Sequence, residues 1–182
     1  MKYEEKIVGD FHLQVRSDVP RVWLEHIVQH LDNIVVVTKD RRRGSIPLPA
    51  ELGVGDAFVK AFPQIYDRHS SDEHKDKLSK PGYAMVEAGA YLRLQKTAVN
   101  IPAMYIYGEE WRDGIRHKGL LVTGLEPGPT LYEVIEQDRA AGLDASKRCI
   151  SELGKMHAAG YCHGDAHPRN FIVRDDVVMM LW

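Results

Sequence analysis

The stretch CHGDAHPRNFIV, residues 162–173, sets His163, Asp165, His167, Arg169 and Asn170 against the apolar run Phe171-Ile172-Val173. Two chemistries suit such a set. Asp165 can orient a hydroxyl and accept its proton, Asn170 can offer an oxygen to a hard cation such as magnesium, and His163 can hold the loop backbone by hydrogen bonds. Alternatively, His163-x-Asp165-x-His167 is a metal triad of two imidazoles and a carboxylate, the ligand set of some iron or zinc enzymes. A well-satisfied polar turn, without chemistry, is the plain structural alternative.

Phosphoryl transfer from a nucleotide asks for a cation on the donor phosphates, a carboxylate to hold that cation, a base for the acceptor hydroxyl, and oxygen ligands for magnesium. AFVKAF (57–62) places Lys60 among apolar neighbours, where an ammonium is costly unless a carboxylate or phosphate compensates it. Glu87, in the helix-like segment that follows, can be that carboxylate. The plain alternative is that Lys60 reaches out from an edge strand and Glu87 is solvated.

The elements that must position these groups follow from periodicity and punctuation. SDVPRVWLEHIVQHL (17–31) predicts a helix capped by Ser17 or Asp18, with Val22, Leu24, Ile27, Val28 and Leu31 on its apolar face. NIVVVTK (33–39) predicts a strand, DRRRGS a basic turn, and GVGDAFVKAF (53–62) a turn entering a second strand. SSDEHKDKLSKPG is a polar connection, and YAMVEAGAYLRLQ (83–95) a helix. AMYIYGEEW and KGLLVTGL predict two strands that turn through Glu109 to His117. PTLYEVIEQDRAA and DASKRCISELGKMHAAG predict two helices, the second capped by Asp144 and ended by Gly160. FIVRDDVVMML predicts a hairpin bent at Arg174-Asp175-Asp176. TGLEPGPT (123–130) gathers Gly and Pro where a β-rich half gives way to a helical half.

In this order MHAAGYCHGDAHPRNFIV resembles the catalytic loop of protein-kinase-like phosphotransferases, His-x-Asp-x-x-x-x-Asn ahead of a hairpin. AFVKAF is similar to their Val-Ala-x-Lys strand, VEAGAYLRLQKTAVNIPAMY to their C helix, and GLLVTGLEPGPTLYEVI to the fifth strand, hinge and following helix. HGD with HPRN is most similar to small bacterial lipopolysaccharide-core sugar kinases and aminoglycoside phosphotransferases. The resemblance covers residues 33–182. It implies an α+β, bilobal fold: a helix-bearing N-terminal extension (1–32), a β-rich N-lobe (33–123), and a hinge with a truncated or minimal helical C-lobe (124–182).

It also implies ATP and Mg2+ as cofactors. Asp165 is then the base, Asn170 a magnesium ligand, Lys60 the phosphate contact and Glu87 its partner. The backbones of Gly124 and Glu126 meet the adenine, beside Thr123. The acceptor is a hydroxyl on a sugar or on a protein Ser or Thr. Two departures stand out. No Gly-x-Gly-x-x-Gly lies between the first strands; TKDRRRGS either offers Gly44 and three arginines to the phosphates or is a solvated basic turn that touches no nucleotide. The metal-binding Asp of the family falls about thirteen residues after the Asn, one place past Trp182, so the chain reads as a truncated kinase or as a pseudokinase that binds nucleotide.

Bulk properties agree with a folded enzyme. The 182 residues are 44% hydrophobic and 27% charged, with a net charge of −2, so no global basic field recruits nucleic acid. Two cysteines, no apolar run of membrane-spanning length and a charged N-terminus predict a cytoplasmic protein with free thiols. Cys162, beside the loop, is expected to be buried and inert, and His157 to be a core histidine.

Overall fold

Alternating apolar and polar residues build a sheet whose two faces serve different ends. A computed structural model describes residues 1–31, 36–38, 41–46, 57–63 and 81–181. Its strands are β1 (Tyr3–Val8), β2 (Phe11–Arg16), β3 (Val36–Thr38), β4 (Arg41–Ile46), β5 (Ala57–Pro63), β6 (Met104–Arg112), β7 (Ile115–Gly124), β8 (Phe171–Arg174) and β9 (Val177–Met180). Its helices are α1 (Arg21–His30), α2 (Tyr83–Leu94), α3 (Leu131–Gln137) and α4 (Arg139–Ala158). Seven strands form one antiparallel sheet in the order β1-β2-β6-β7-β5-β4-β3, and β8-β9 form a separate hairpin. The fold is α+β with a β-rich first part. Contacts group the chain into two compact units, Met1–Ala88 with Ala103–Leu125, and Gly89–Pro102 with Glu126–Trp182. No helix among the described residues is long and apolar enough to cross a membrane.

In the first unit, Phe11, Leu13 and Val15 of β2 join Ala57, Val59 and Ala61 of β5, Ile106 of β6, and Leu120 and Val122 of β7 in one core. Helix α1 covers that face with Trp23, Leu24 and Ile27, and Trp23 meets the Tyr105 ring edge-on at 5.1 Å. Burying such a Trp is worth a few kcal/mol, about the scale of any large apolar side chain. Two strands precede residue 33, where the apolar pattern predicts only a helix. Strands β1 and β2 were legible in EKIVGDFHLQV, an alternating run with a Gly9-Asp10 turn, Gly9 at φ 57°. Ser17 and Asp18 do not cap α1. Pro20 stands at the N-cap without a side-chain bond, because Asp18 accepts two hydrogen bonds from Arg16 at 2.6 and 2.9 Å. Val22 is exposed, and Trp23 takes the core place.

Two expected turns are strands. Residues 41–46 pair with β5, Arg43 opposite Lys60 and Gly44 opposite Val59, so the basic turn is replaced by β4. The bend between β6 and β7 is only Asp113-Gly114, both at positive φ (50° and 71°), with Arg112 opposite Ile115. Positive φ at both central residues matches the twist of a tight hairpin, which lets the strands run through Glu109 to His117. Most of IPLP (46–49) and the polar connection (70–82) lie outside the described residues.

In the second unit, α4 is capped by Asp138, which accepts the N–H groups of Ala140 and Ala141 at 2.8 and 3.1 Å. Asp144 therefore does not cap. It sits inside the helix and pairs with Arg148 at 3.7 Å, because α4 begins earlier than its apolar periodicity suggested. Gly160, at φ 83°, ends the segment as expected. A capping box of Thr130 and Glu133 starts α3. Leu131, Ala145, Cys149 and Met156 pack with Phe171, Val173, Val178 and Met180 of the hairpin. The hairpin bends at Asp175-Asp176, one residue tighter than expected.

Candidate active site

Period two decides which β5 side chains leave the α1 core. Val59 and Ala61 enter it, so Lys60 points to the opposite face, in register with Leu121 of β7. Phe58 lies directly opposite Thr123, which puts Thr123 on the Lys60 face. The first turns of α2 pack there. Gly119 admits the helix: a Cβ at that position would lie 2.8 Å from the Ala84 side chain. One turn on from Ala84, Glu87 receives the Lys60 ammonium in a buried ion pair. The alternative of a snorkelling lysine and a solvated glutamate is excluded by that burial.

Gly124 donates its N–H to the Ala103 carbonyl at 2.8 Å and lies opposite Ala57 of β5. Glu126 is half-buried at the start of the segment leading to α3. Gly44 lies in the β4 ladder rather than in a loop.

In the second unit, α4 ends and residues 161–170 return to the hairpin as a hydrogen-bonded loop. His163 is its post. Nε2 donates to the Leu181 carbonyl at 2.7 Å and Nδ1 accepts the Asp165 N–H at 3.1 Å. A carbonyl can only accept and an amide N–H only donate, so the two bonds fix the tautomer. The Asn170 side-chain amide donates to the Asp165 carbonyl at 2.8 Å and to Asp165 Oδ2 at 3.0 Å. His167 donates its N–H to the Asp165 carbonyl at 2.8 Å, and its ring Nδ1 accepts the Arg169 N–H at 3.2 Å. The Arg169 guanidinium lies 4.5 Å over the Tyr132 ring. Asp165 itself is exposed.

This geometry separates the would-be metal triad. The ring nitrogens of His163 and Nδ1 of His167 serve the backbone, and the Asp165 carboxylate faces Asn170. Among the described residues no three His, Cys, Asp or Glu groups converge on a metal position. For magnesium the fit differs: with the Asn170 amide nitrogen turned to Asp165, its Oδ1 is the oxygen left for a hard cation. His157 is exposed, not a core histidine, since Met156 takes the inward helical position. Cys162 is exposed and Cys149 buried, because the loop peels away where α4 ends. Trp182 is outside the described residues.

Sequence reasoning missed a second buried pair on the Lys60 face. Glu109 and Arg116 meet at 3.3 Å, both under a tenth exposed. Burial pushes the Glu109 carboxyl above its ordinary range, against the opposing pull of Arg116 and a bond from the Gly82 N–H. The two-residue turn Asp113-Gly114 was the signal that could have revealed it. Glu152 was missed too: buried on α4, it accepts the Asn100 N–H and side-chain amide at 3.1 and 3.2 Å.

The lipopolysaccharide kinase (Kdo/WaaP) family model matches residues 63–180, well over half of the chain. None of the curated proteins matches in sequence. Among solved structures, the 2.2 Å crystal structure of WbdD is similar over 97% of this chain and 34% of that chain, with a TM-score of 0.52 and 16% identity. The chain thus spans about a third of the length of that relative, and the likeness is one of fold. Together with the family match, it bears out the kinase-like α+β architecture.

Proposed function

Because the chain belongs to the lipopolysaccharide kinase (Kdo/WaaP) family, we propose that it is an ATP-dependent phosphotransferase moving the γ-phosphoryl group to a hydroxyl of a lipopolysaccharide sugar. The carrying observation is the buried Lys60–Glu87 pair. Taking both charges out of water costs several kcal/mol per ion before pairing, and well-packed apolar residues of similar volume would serve stability at least as well. A use for the ammonium, on donor phosphates, accounts for its retention.

The remaining groups divide the work as follows. Lys60 holds the donor phosphates and Glu87 keeps it oriented. The acceptor hydroxyl oxygen attacks the γ-phosphorus, the bond to the β–γ bridging oxygen breaks, ADP leaves, and the hydroxyl proton passes to the Asp165 carboxylate. His163 and Asn170 hold Asp165 from two sides. Magnesium, when bound, neutralises charge on the phosphates, and Asn170 Oδ1 is the ligand this loop offers it. The backbones of Gly124 and Glu126 meet the adenine beside Thr123, and Gly44, opposite Val59 rather than on the Lys60 face, offers the phosphates only its backbone. Since ATP is the donor, the reaction belongs in the cytoplasm.

The test is transfer of γ-labelled phosphate from ATP to a lipopolysaccharide core oligosaccharide, with and without Mg2+, alongside the shift in melting temperature with nucleotide. Labelled sugar that requires Mg2+ is the expected result. ATP binding without transfer would leave a nucleotide-binding module instead, and absence of both would overturn the reading.

A further inference from the structure

Glu109 on β6 and Arg116 on β7 take no part in the chemistry just described, yet both are buried on the face that carries Lys60. Oε1 of Glu109 accepts from Arg116 Nη1 at 3.3 Å and from the Gly82 N–H at 3.1 Å. Gly82 immediately precedes α2, and its carbonyl accepts the Val86 N–H at 3.0 Å. The first turn of α2 therefore hangs on the ion pair. A Cβ at position 82 would collide with that same Glu109 oxygen and lie 3.3 Å from the Arg116 guanidinium. Glycine is needed here for close approach, not for its backbone freedom. Five residues further, the same helix presents Glu87 to Lys60. A helix is stiff along its axis, so tethering its first turn sets where Glu87 lies.

We propose that Glu109 and Arg116 are positioning residues: their buried pair docks the start of α2 on the sheet and so holds Glu87 against Lys60. The use of that contact rests on the phosphotransfer reading, but the tether is measurable without it. The raised Glu109 carboxyl reports the burial of this site, against the opposing pull of Arg116 and the Gly82 N–H. A pair on the surface would carry no such penalty and hold nothing in place.

The experiment uses the full chain and two readouts that need no activity: hydrogen exchange of the Val86, Glu87 and Ala88 amides, and acylation of Lys60 by an amine-reactive ester, read by mass spectrometry. Glu109→Leu removes the acceptor for the Gly82 N–H. Gly82→Ala displaces that acceptor while keeping both charges. Both variants are expected to speed exchange at these amides and Lys60 acylation by about tenfold, the scale of one lost hydrogen bond to a charged group. Glu109→Gln keeps an oxygen for Gly82 and is expected to stay within about twofold of wild type, which a general loss of packing would not reproduce. If either disruptive variant melts cooperatively yet leaves both rates unchanged, or if Gln behaves as Leu does, the positioning role is overturned. Should Glu109→Leu fail to fold, Gly82→Ala decides alone. Failure of the wild-type chain to transfer phosphate would sink the kinase reading and leave these rates to judge the tether.

Discussion

Lys60 of β5 and Glu87 of α2 are ion-paired across 27 positions of sequence, with side chains 7% and 10% exposed. Sheet register turns the lysine away from the α1 core, and the close seat of α2 against Gly119 brings the glutamate to it. Neither charge would be tolerated there alone.

Lys60→Ala is therefore expected to cost about 3–5 kcal/mol of unfolding free energy, because it leaves Glu87 buried without a partner. The double replacement Lys60→Met with Glu87→Leu should cost far less, near neutral to within about 1 kcal/mol. Urea denaturation of the single and double variants measures the difference. Equal losses would mean the two residues are not coupled.

Asp165→Asn tests the base. The side chain is exposed, and one oxygen accepts from Asn170, so stability should change by less than about 1 kcal/mol. Phosphate transfer should fall by about 10²–10⁴-fold while the nucleotide-induced melting shift persists. Unchanged turnover would remove Asp165 from that role.

His163→Phe keeps a ring facing Phe171, now at a centroid distance of 6.1 Å, but breaks the bonds to Leu181 and to the Asp165 amide. A loss of about 1–3 kcal/mol is expected for the stranded backbone groups. The Asp165 amide should exchange faster, which separates loosening of the loop from a general loss of packing.

The raised Glu109 carboxyl has a signed consequence. A group whose folded value lies above its unfolded value of 4.5 adds stability below that pH and loses it as pH rises through the folded value. Relative to Glu109→Gln, the wild type should lose stability on going from pH 4 toward neutrality. Denaturation of both proteins across that range checks the slope. The opposite slope would mean that Arg116 outweighs burial.

Burial pushes the Cys149 thiol up to about 11, while Cys162 is exposed. In the native protein at pH 8, iodoacetamide should modify Cys162 alone, and Cys149 should react only on unfolding. Mass spectrometry before and after denaturant distinguishes them.

Much of the fold was legible locally. The α2 and α3 segments, the β8-β9 hairpin and β5 announce themselves by period and by turn residues, since helix and hairpin hydrogen bonds close between near neighbours and a strand's side chains alternate whatever its partners. So does the loop from His163 to Asn170, whose contacts close over a few residues, apart from the bond to Leu181. Errors arose where local signals compete: Asp18 answered Arg16 rather than the helix, and Asp138 capped α4 ahead of Asp144.

What the chain determined by itself is the chemical inventory: a lysine in an apolar strand, a glutamate on the next helix, and a carboxylate and an amide five residues apart. Burial was decided only in three dimensions. Glu109 and Arg116 read as parts of a charged turn, and became an interior pair because β6 lies between β2 and β7 and α2 closes over their face. Desolvation depends on what covers a residue, and the covering segments are remote in sequence.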